Sequence, residues 1–114
     1  MTEFQTETTD AGVGVIRPVG RLNMVAAPRL RALVTQLVAA GTPRVVVDLS
    51  STDSMDSSGL GALIAGLKTT RQAGGDLRLA GAGPQVQAVL ELTNLGRVLR
   101  PRPDVASAFP LAGD

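Results

Sequence analysis

The chain is 114 residues long; 44% of its residues are hydrophobic, 18% are charged, and the formal net charge is +1. These values fit one globular domain, which we place at residues 1–114, and they exclude a disordered chain. The absence of cysteine and histidine excludes disulfide bonds, thiolate metal sites and a Ser-His-Asp triad. Two aromatic residues and a near-neutral charge also argue against nucleic-acid binding.

The apolar segments are too short to cross a membrane. The longest uncharged apolar stretch lies around Gly59 to Leu67, whereas a bilayer requires ~20 residues. Residues 1–7 are polar and acidic, unlike the start of a signal peptide. We therefore expect a cytoplasmic protein with no direct membrane insertion, no cofactor and no metal ion.

The first twenty residues predict a β-hairpin. Residues 4–9 alternate weakly between polar and apolar and are predicted to form an edge strand. Residues 13–19 alternate more strongly and are predicted to form its partner strand. The turn between the two strands falls at Asp10–Gly12, where residues that favour turns cluster.

A helix and a buried strand are predicted next. Asn23 is the predicted N-cap, and Pro28 fits the first helical turn. Apolar residues then recur at helical spacing, at Leu30, Leu33, Val34, Leu37 and Val38. Gly41 is predicted to end this helix. The β-branched run at residues 45–49 predicts a central strand that is covered on both faces.

The second half of the chain continues this alternation. A polar loop is predicted over residues 50–56, followed by a helix whose apolar side is marked by Leu60, Leu63, Ile64 and Leu67. Residues 77–80 predict a strand, and Pro84 opens a third helix. Residues 98–99 predict a last short strand, and Asp104 is the predicted cap of a final helical turn. This order indicates an α/β sheet that is covered by helices.

The candidate site is the segment Asp53–Gly61, because sites in such folds gather where strands end and helices begin. On a helical wheel, Ser58 shares the side opposite the apolar residues with small side chains at Gly61, Ala62, Ala65 and Thr69. We therefore predict a smooth outward face for a partner, with a serine hydroxyl at its rim. A phosphate on that serine would lie beside the free N–H groups of the helix start and would repel the partner. Plain N-capping by Asp56 or Ser57 is the alternative.

Several motifs resemble the core of STAS domains, in particular the stand-alone anti-sigma factor antagonists. They are residues 45–49, Met55–Gly61 and Gly74–Gly75. Residues 20–23 and 90–95 extend the resemblance over nearly the whole chain. The resemblance implies the STAS (SpoIIAA-like) fold, a small mixed sheet of four to five strands with helices packed mainly on one face.

The resemblance also implies a function without enzymatic activity, in settings such as stress response or sporulation. The unphosphorylated antagonist binds an anti-sigma factor that is also a serine kinase, and a sigma factor is released. Phosphorylation, expected on Ser58 rather than Ser57, ends binding, and a PP2C-type phosphatase resets the protein. The expected partner-binding residues are Asn23, Met24, Val25, Met55, Asp56, Ser57, Ser58, Gly59, Gly61, Ala62 and Ala65. The family often has aspartate where this chain has Asn23, which bears on phosphoryl transfer more than on binding.

Other functions remain open. A STAS domain without a kinase cycle serves as a binding subunit of a lipid transporter or of a stress-sensing assembly. A phospho-acceptor receiver is suggested by Asp48, Asp53 and Asp56. It is disfavoured because no acidic pair follows the first strands and the single lysine, Lys68, falls on a helix. A basic patch, either solvated or facing an acidic partner, is formed by Arg97, Arg100 and Arg102.

Overall fold

The computed structural model describes residues 2–109; Met1 and residues 110–114 of the predicted domain lie outside the described residues. An N-terminal hairpin is followed by interspersed strands and helices, and the described part of the chain ends in three helices. In chain order the elements are β1 (Glu3–Thr8), β2 (Gly14–Leu22), α1 (Ala27–Ala39), β3 (Arg44–Asp48), β4 (Thr52–Met55), α2 (Ser57–Gln72), β5 (Asp76–Ala80), α3 (Pro84–Thr93), α4 (Gly96–Leu99) and α5 (Val105–Ala108).

The strands form one mixed sheet in the order β1-β2-β3-β5, and β4 pairs with the far end of β2. Strands β1 and β2 form the predicted antiparallel hairpin, with Glu3 opposite Val19 and Thr8 opposite Gly14. Strand β3 pairs in parallel with β2 on one side and with β5 on the other. The prediction of a mixed sheet with β1 at its edge is confirmed.

Strand β2 changes partners along its length. Gly14–Ile16 pair with β3, whereas Gly20–Leu22 pair with β4. The register shifts between Gly20 and Arg21, and Gly20 has a φ of 114°. Glycine adopts this backbone conformation readily, and such a bulge bends a strand. The end of β2 therefore leaves the main sheet and runs beside the start of α2.

The polar loop predicted over residues 50–56 is wrong in its second half, because Thr52–Met55 form β4. The Thr52 hydroxyl is buried and donates a hydrogen bond to the carbonyl of Pro18 at 2.9 Å. On the other side, the Gln85 amide oxygen accepts from the Met55 N–H at 2.9 Å. Four largely polar residues give no clear alternation, so it is tertiary pairing that makes this segment a strand.

The main core lies between the sheet and helices α1 and α2. It contains, among others, the buried side chains of Ile16, Leu22, Leu30, Val34, Val45, Val47, Leu63, Leu77 and Leu79. A smaller cluster on the opposite face joins Val13, Val46 and Ala80 to Ala108 and Phe109 around α5. Strand β3 is thus covered on both faces, as predicted, and the packing of helices mainly on one face is confirmed.

The last elements are helical. The strand predicted at residues 98–99 is wrong: these residues lie in α4, where the Leu99 N–H donates to the Leu95 carbonyl at 3.0 Å. A parallel bridge pairs Ala80, at the end of β5, with Arg102, after α4. Asp104 caps α5 as predicted, accepting from the Ser107 N–H at 3.0 Å. None of the helices within residues 2–109 has the length and apolar character required to cross a bilayer.

Candidate functional site

Helix α2 begins with a side-chain cap from Asp56. Its Oδ1 accepts hydrogen bonds from the N–H groups of Ser58 at 2.9 Å and Gly59 at 3.0 Å. Its carbonyl accepts from the Leu60 N–H at 3.0 Å. The predicted capping role of Asp56 is confirmed. The expectation that these N–H groups are free to receive a phosphate is wrong, because Asp56 already occupies them.

Gly59 allows the first turn of α2 to lie directly against the end of β2. A Cβ at this position would be 2.2 Å from the carbonyl oxygen of Leu22 and 3.0 Å from Cγ of Met55. Glycine alone fits so close an approach between two backbones. Since Leu22 directly precedes Asn23, this contact brings the segment after β2 next to Ser58.

The segment after β2 is a tight turn organised by Asn23. The Asn23 Oδ1 accepts hydrogen bonds from the N–H groups of Val25 and Ala26, each at 3.1 Å. The N-cap residue of α1 is Ala26, which makes no side-chain cap, and Pro28 lies in the first turn as predicted. The predicted helix-capping role of Asn23 is therefore wrong: a turn intervenes, and Asn23 caps that turn instead.

The turn exposes two large apolar side chains. Met24 is 71% exposed and Val25 is 79% exposed, so neither staples the start of α1. A groove of about 300 Å³, which we call the serine groove, is lined by Met24, Ala27, Pro28, Arg31, Ser57, Ser58 and Gly61. On the other side of the turn, a strand-end groove of about 570 Å³ is lined by Thr2, Gly20, Arg21, Asn23, Val25, Ala26, Arg29 and Asp53. The expectation that this turn lies near Ser58 is confirmed.

The small residues of α2 do not form a free outward face. Helix α2 packs along α1, and Ala62 is fully buried in the main core. The prediction that Ala62 meets a partner is wrong, because a helix beside another helix on a sheet has two buried flanks. Gly61 and Ala65 are half-buried. Met55 and Gly59, also predicted as contacts, are buried and position the turn.

The two candidate serines both line the serine groove, at the first and second residues of α2. Ser57 is exposed and Ser58 is half-buried. Met24 and the two candidate serines thus line the same groove. The choice of Ser58 over Ser57 stays a prediction.

The three aspartates considered for a receiver-like or cation site are not brought together. Asp48 accepts from Arg17 Nε at 2.8 Å and from the Ser50 N–H at 3.0 Å. Burial raises the pKa of Asp48, but the hydrogen bonds from Ser50 and the charge of Arg17 outweigh it, leaving the pKa below its ordinary value. Asp53 lines the strand-end groove, and Asp56 caps α2. Across residues 2–109, no three acidic side chains converge on a metal position.

Arg31 is a site residue that the sequence analysis missed. It is exposed on α1, and its Nη2 is 3.6 Å from the position that a Cβ would take at Gly61. Among the described residues that line the serine groove, Arg31 is the only one with a charged side chain. Its place depends on how α1 crosses α2, and no local pattern in the sequence carries that information.

Comparison with known proteins decides the family, since the family model described as STAS domain matches residues 4–108. The chain belongs to the STAS domain family. A STAS relative from Staphylococcus aureus, named anti-sigma-B factor antagonist, is 30% identical over 76 residues, covering 67% of this chain and 70% of that protein. The resemblance drawn from the sequence motifs is confirmed.

Solved STAS structures agree with the fold. The crystal structure of an anti-sigma factor antagonist from Mycobacterium paratuberculosis has a TM-score of 0.81 and 28% identity, covering 92% of this chain and 88% of that one. The phosphorylated form of the Bacillus cell fate determinant SpoIIAA has a TM-score of 0.70 and 24% identity, covering 92% and 93%. The second similarity supports the STAS fold alone.

Proposed function

We propose that this STAS protein is a cytoplasmic, non-enzymatic anti-sigma factor antagonist. Its unphosphorylated form binds an anti-sigma factor with serine kinase activity, and a sigma factor is thereby released. Phosphorylation of Ser58 ends the binding, and a PP2C-type phosphatase restores it. The observation that carries the proposal is a protruding apolar turn, Met24–Val25, beside a serine at the start of a rigidly capped helix. The names of the relatives support the antagonist role.

The turn provides the contact area for the partner. Most large apolar side chains of a folded domain are buried, whereas Met24 and Val25 stand out of the surface side by side. Burying a side chain of this size contributes roughly 1.5–3 kcal/mol. A partner with an apolar pocket for Met24 would enclose the serine groove as well. The Ser58 hydroxyl would then lie inside the interface, where a neutral group is tolerated.

Phosphorylation converts this tolerated contact into a repulsive one. The kinase transfers the γ-phosphoryl group of ATP to the Ser58 Oγ, the hydroxyl proton is lost, and ADP leaves. The product carries about −1.5 to −2 charges at pH 7. An uncompensated charge in an interface costs roughly 3–5 kcal/mol, on the order of a hundredfold or more in Kd. Because Asp56 and Gly59 hold the start of α2, the antagonist itself need not change shape.

Asn23 fits this function even though the family often has aspartate at this position. The hydrogen bonds to the Val25 and Ala26 N–H groups need only an oxygen acceptor, which both side chains supply. The apolar turn therefore forms without the negative charge. Binding is retained, and the missing charge bears on phosphoryl transfer.

The modification is tested by incubating the protein with ATP and a lysate of its native cells, followed by tryptic digestion. Cleavage after Arg44 and Lys68 releases one peptide, residues 45–68, that contains both candidate serines. We expect one phosphate on Ser58, which disappears in Ser58→Ala and persists in Ser57→Ala. Phosphate that survives in Ser58→Ala would refute the assignment.

Binding is tested by pull-down from the same cells with immobilised variants. Wild type and Ser58→Ala should both recover an anti-sigma factor with a serine kinase domain, and Ser58→Glu should not. Met24→Ala should weaken recovery, whereas Leu92→Ala, which removes an even more exposed apolar side chain on α3, should not. If no phosphate forms and a transporter ATPase or a multi-copy assembly is recovered instead, the protein is a STAS binding subunit without a kinase cycle.

A further inference from the structure

We propose that Arg31 is the counter-charge of the phosphate on Ser58, and that the two groups pair across Gly61 within the serine groove. The inference rests on the proposed function, because it takes Ser58 as the phosphorylated residue. It assigns a regulatory role to a cation that lies on a different helix from the serine.

The start of α2 cannot by itself neutralise a phosphate. The N–H groups of Ser58 and Gly59 are bonded to the Asp56 carboxylate, and the N–H of Leu60 is bonded to the Asp56 carbonyl. The carboxylate is moreover an anion two residues from the modified serine. A phosphate dianion placed there gains little from the backbone and is repelled by Asp56, so a cation from another element would stabilise it.

Arg31 is placed to supply that cation. Its Nη2 lies 3.6 Å from the position of a Cβ at Gly61. Gly61 follows Ser58 by three residues, so the two positions are neighbours on the same side of α2, about 5–6 Å apart. Both residues line the serine groove together with Arg31. Because Gly61 has no side chain, position 61 places no side chain between the guanidinium and a phosphate on Ser58.

Arg31 is also uncommitted in the unphosphorylated protein. Other arginines have partners: Arg17 pairs with Asp48, Arg71 with Asp76, and Arg29 stacks on the ring of Phe4. Within the described part of the chain, no acidic side chain pairs with Arg31. A guanidinium forms paired hydrogen bonds with phosphate oxygens, and these are among the strong charge-assisted contacts.

This pairing has two effects on the surface of the serine groove. The phosphate adds negative charge to the serine groove, and Arg31 ceases to be available to an acidic group of the partner. The modified serine is held against the protein's own surface rather than projecting freely into solvent. The switch is therefore a change in which group Arg31 binds, with no movement of the backbone.

The test installs phosphoserine at position 58 during translation, so that no kinase is required, and follows its 31P chemical shift against pH. The second pKa of phosphoserine is ordinarily near 6, and an adjacent cation lowers it. Asp56 raises this pKa and Arg31 lowers it, so the test is the difference between variants: we expect a rise of roughly 0.5 or more in Arg31→Gln. Arg31→Lys should restore part of the effect, because lysine keeps the charge and loses the planar fork.

Arg29→Gln is the matched control, since Arg29 lies on the same helix but lines the strand-end groove. It should leave the titration unchanged, and circular dichroism should show all variants folded. Equal titration curves for the parent and Arg31→Gln would overturn the inference. If phosphate on Ser58 still blocked the partner in that case, the proposed function would stand without Arg31. If the titration depended on Arg31 but the protein bound no anti-sigma factor, the pairing would stand and the proposed function would fail.

Discussion

Replacing Gly59 by alanine tests the contact on which the geometry of the site depends. The new Cβ would stand 2.2 Å from the Leu22 carbonyl oxygen, well inside the 3.0 Å that such contacts essentially never cross. The carbonyl cannot rotate away freely, because it also accepts from the Asp56 N–H at 3.3 Å and belongs to the end of β2. Either the end of β2 or the start of α2 must therefore move.

Two opposing effects set the size of the destabilisation. Forcing an extra carbon into a packed site costs roughly 1–3 kcal/mol, and a backbone obstacle belongs at the upper end. Alanine gains about 1 kcal/mol over glycine in a helix, which offsets part of that cost. We expect Gly59→Ala to lower the free energy of unfolding by about 2 kcal/mol. For a domain of this size the melting temperature would fall by roughly 8 °C.

Gly61→Ala supplies the control in the same helix. Its Cβ would meet Arg31 Nη2 at 3.6 Å, which is an ordinary contact, so it receives the helical gain without the clash. Thermal and urea unfolding followed by circular dichroism should show Gly61→Ala to be at least as stable as wild type. Equal stability of the two alanine variants would refute the close approach of α2 to β2.

Two further predictions concern carboxylates. Asp56→Ala removes the acceptor of the Ser58 and Gly59 N–H groups and should lower the free energy of unfolding by about 1 kcal/mol, with Asp56→Ser recovering most of it; coincident urea midpoints would contradict this. The pKa of Asp48 lies below its ordinary value in the folded protein. Its stabilising contribution is therefore complete above about pH 4 to 5 and is lost as the pH falls through the folded-state pKa. Urea titrations from pH 6 to pH 3 should show a smaller loss of stability in Asp48→Asn, and equal losses would count against the Arg17–Asp48 pair.

Elements in which the spacing of apolar residues indicates the buried side were predictable from the sequence. The β-branched run at residues 45–49 predicted a strand with two covered faces, and β3 is buried on both. Apolar residues at helical spacing located α2 from Leu60 to Leu67. Asp56 predicted the start of that helix, because a helix cap depends on neighbours only two or three residues away.

Features formed by contacts between distant segments were not predictable in this way. Strand β4 exists through its pairing with β2, and residues 98–99 are helical although two apolar residues also suit a strand. The helical wheel separated Ala62 from the apolar side of α2 but did not reveal that Ala62 is buried in the main core. Arg31 was missed for the same reason, since its position beside the two serines follows from the crossing of two helices.

The turn after β2 is built so that its shape does not depend on the side chains it displays. Asn23 binds the turn through backbone N–H groups, while the side chains of Met24 and Val25 point into solvent and take no part in that bonding. Mutations at these two positions therefore leave the fold, the serine and its cap intact. Under the proposed function, copies of such a gene can therefore diverge in the partner they choose without rebuilding the backbone that presents the serine.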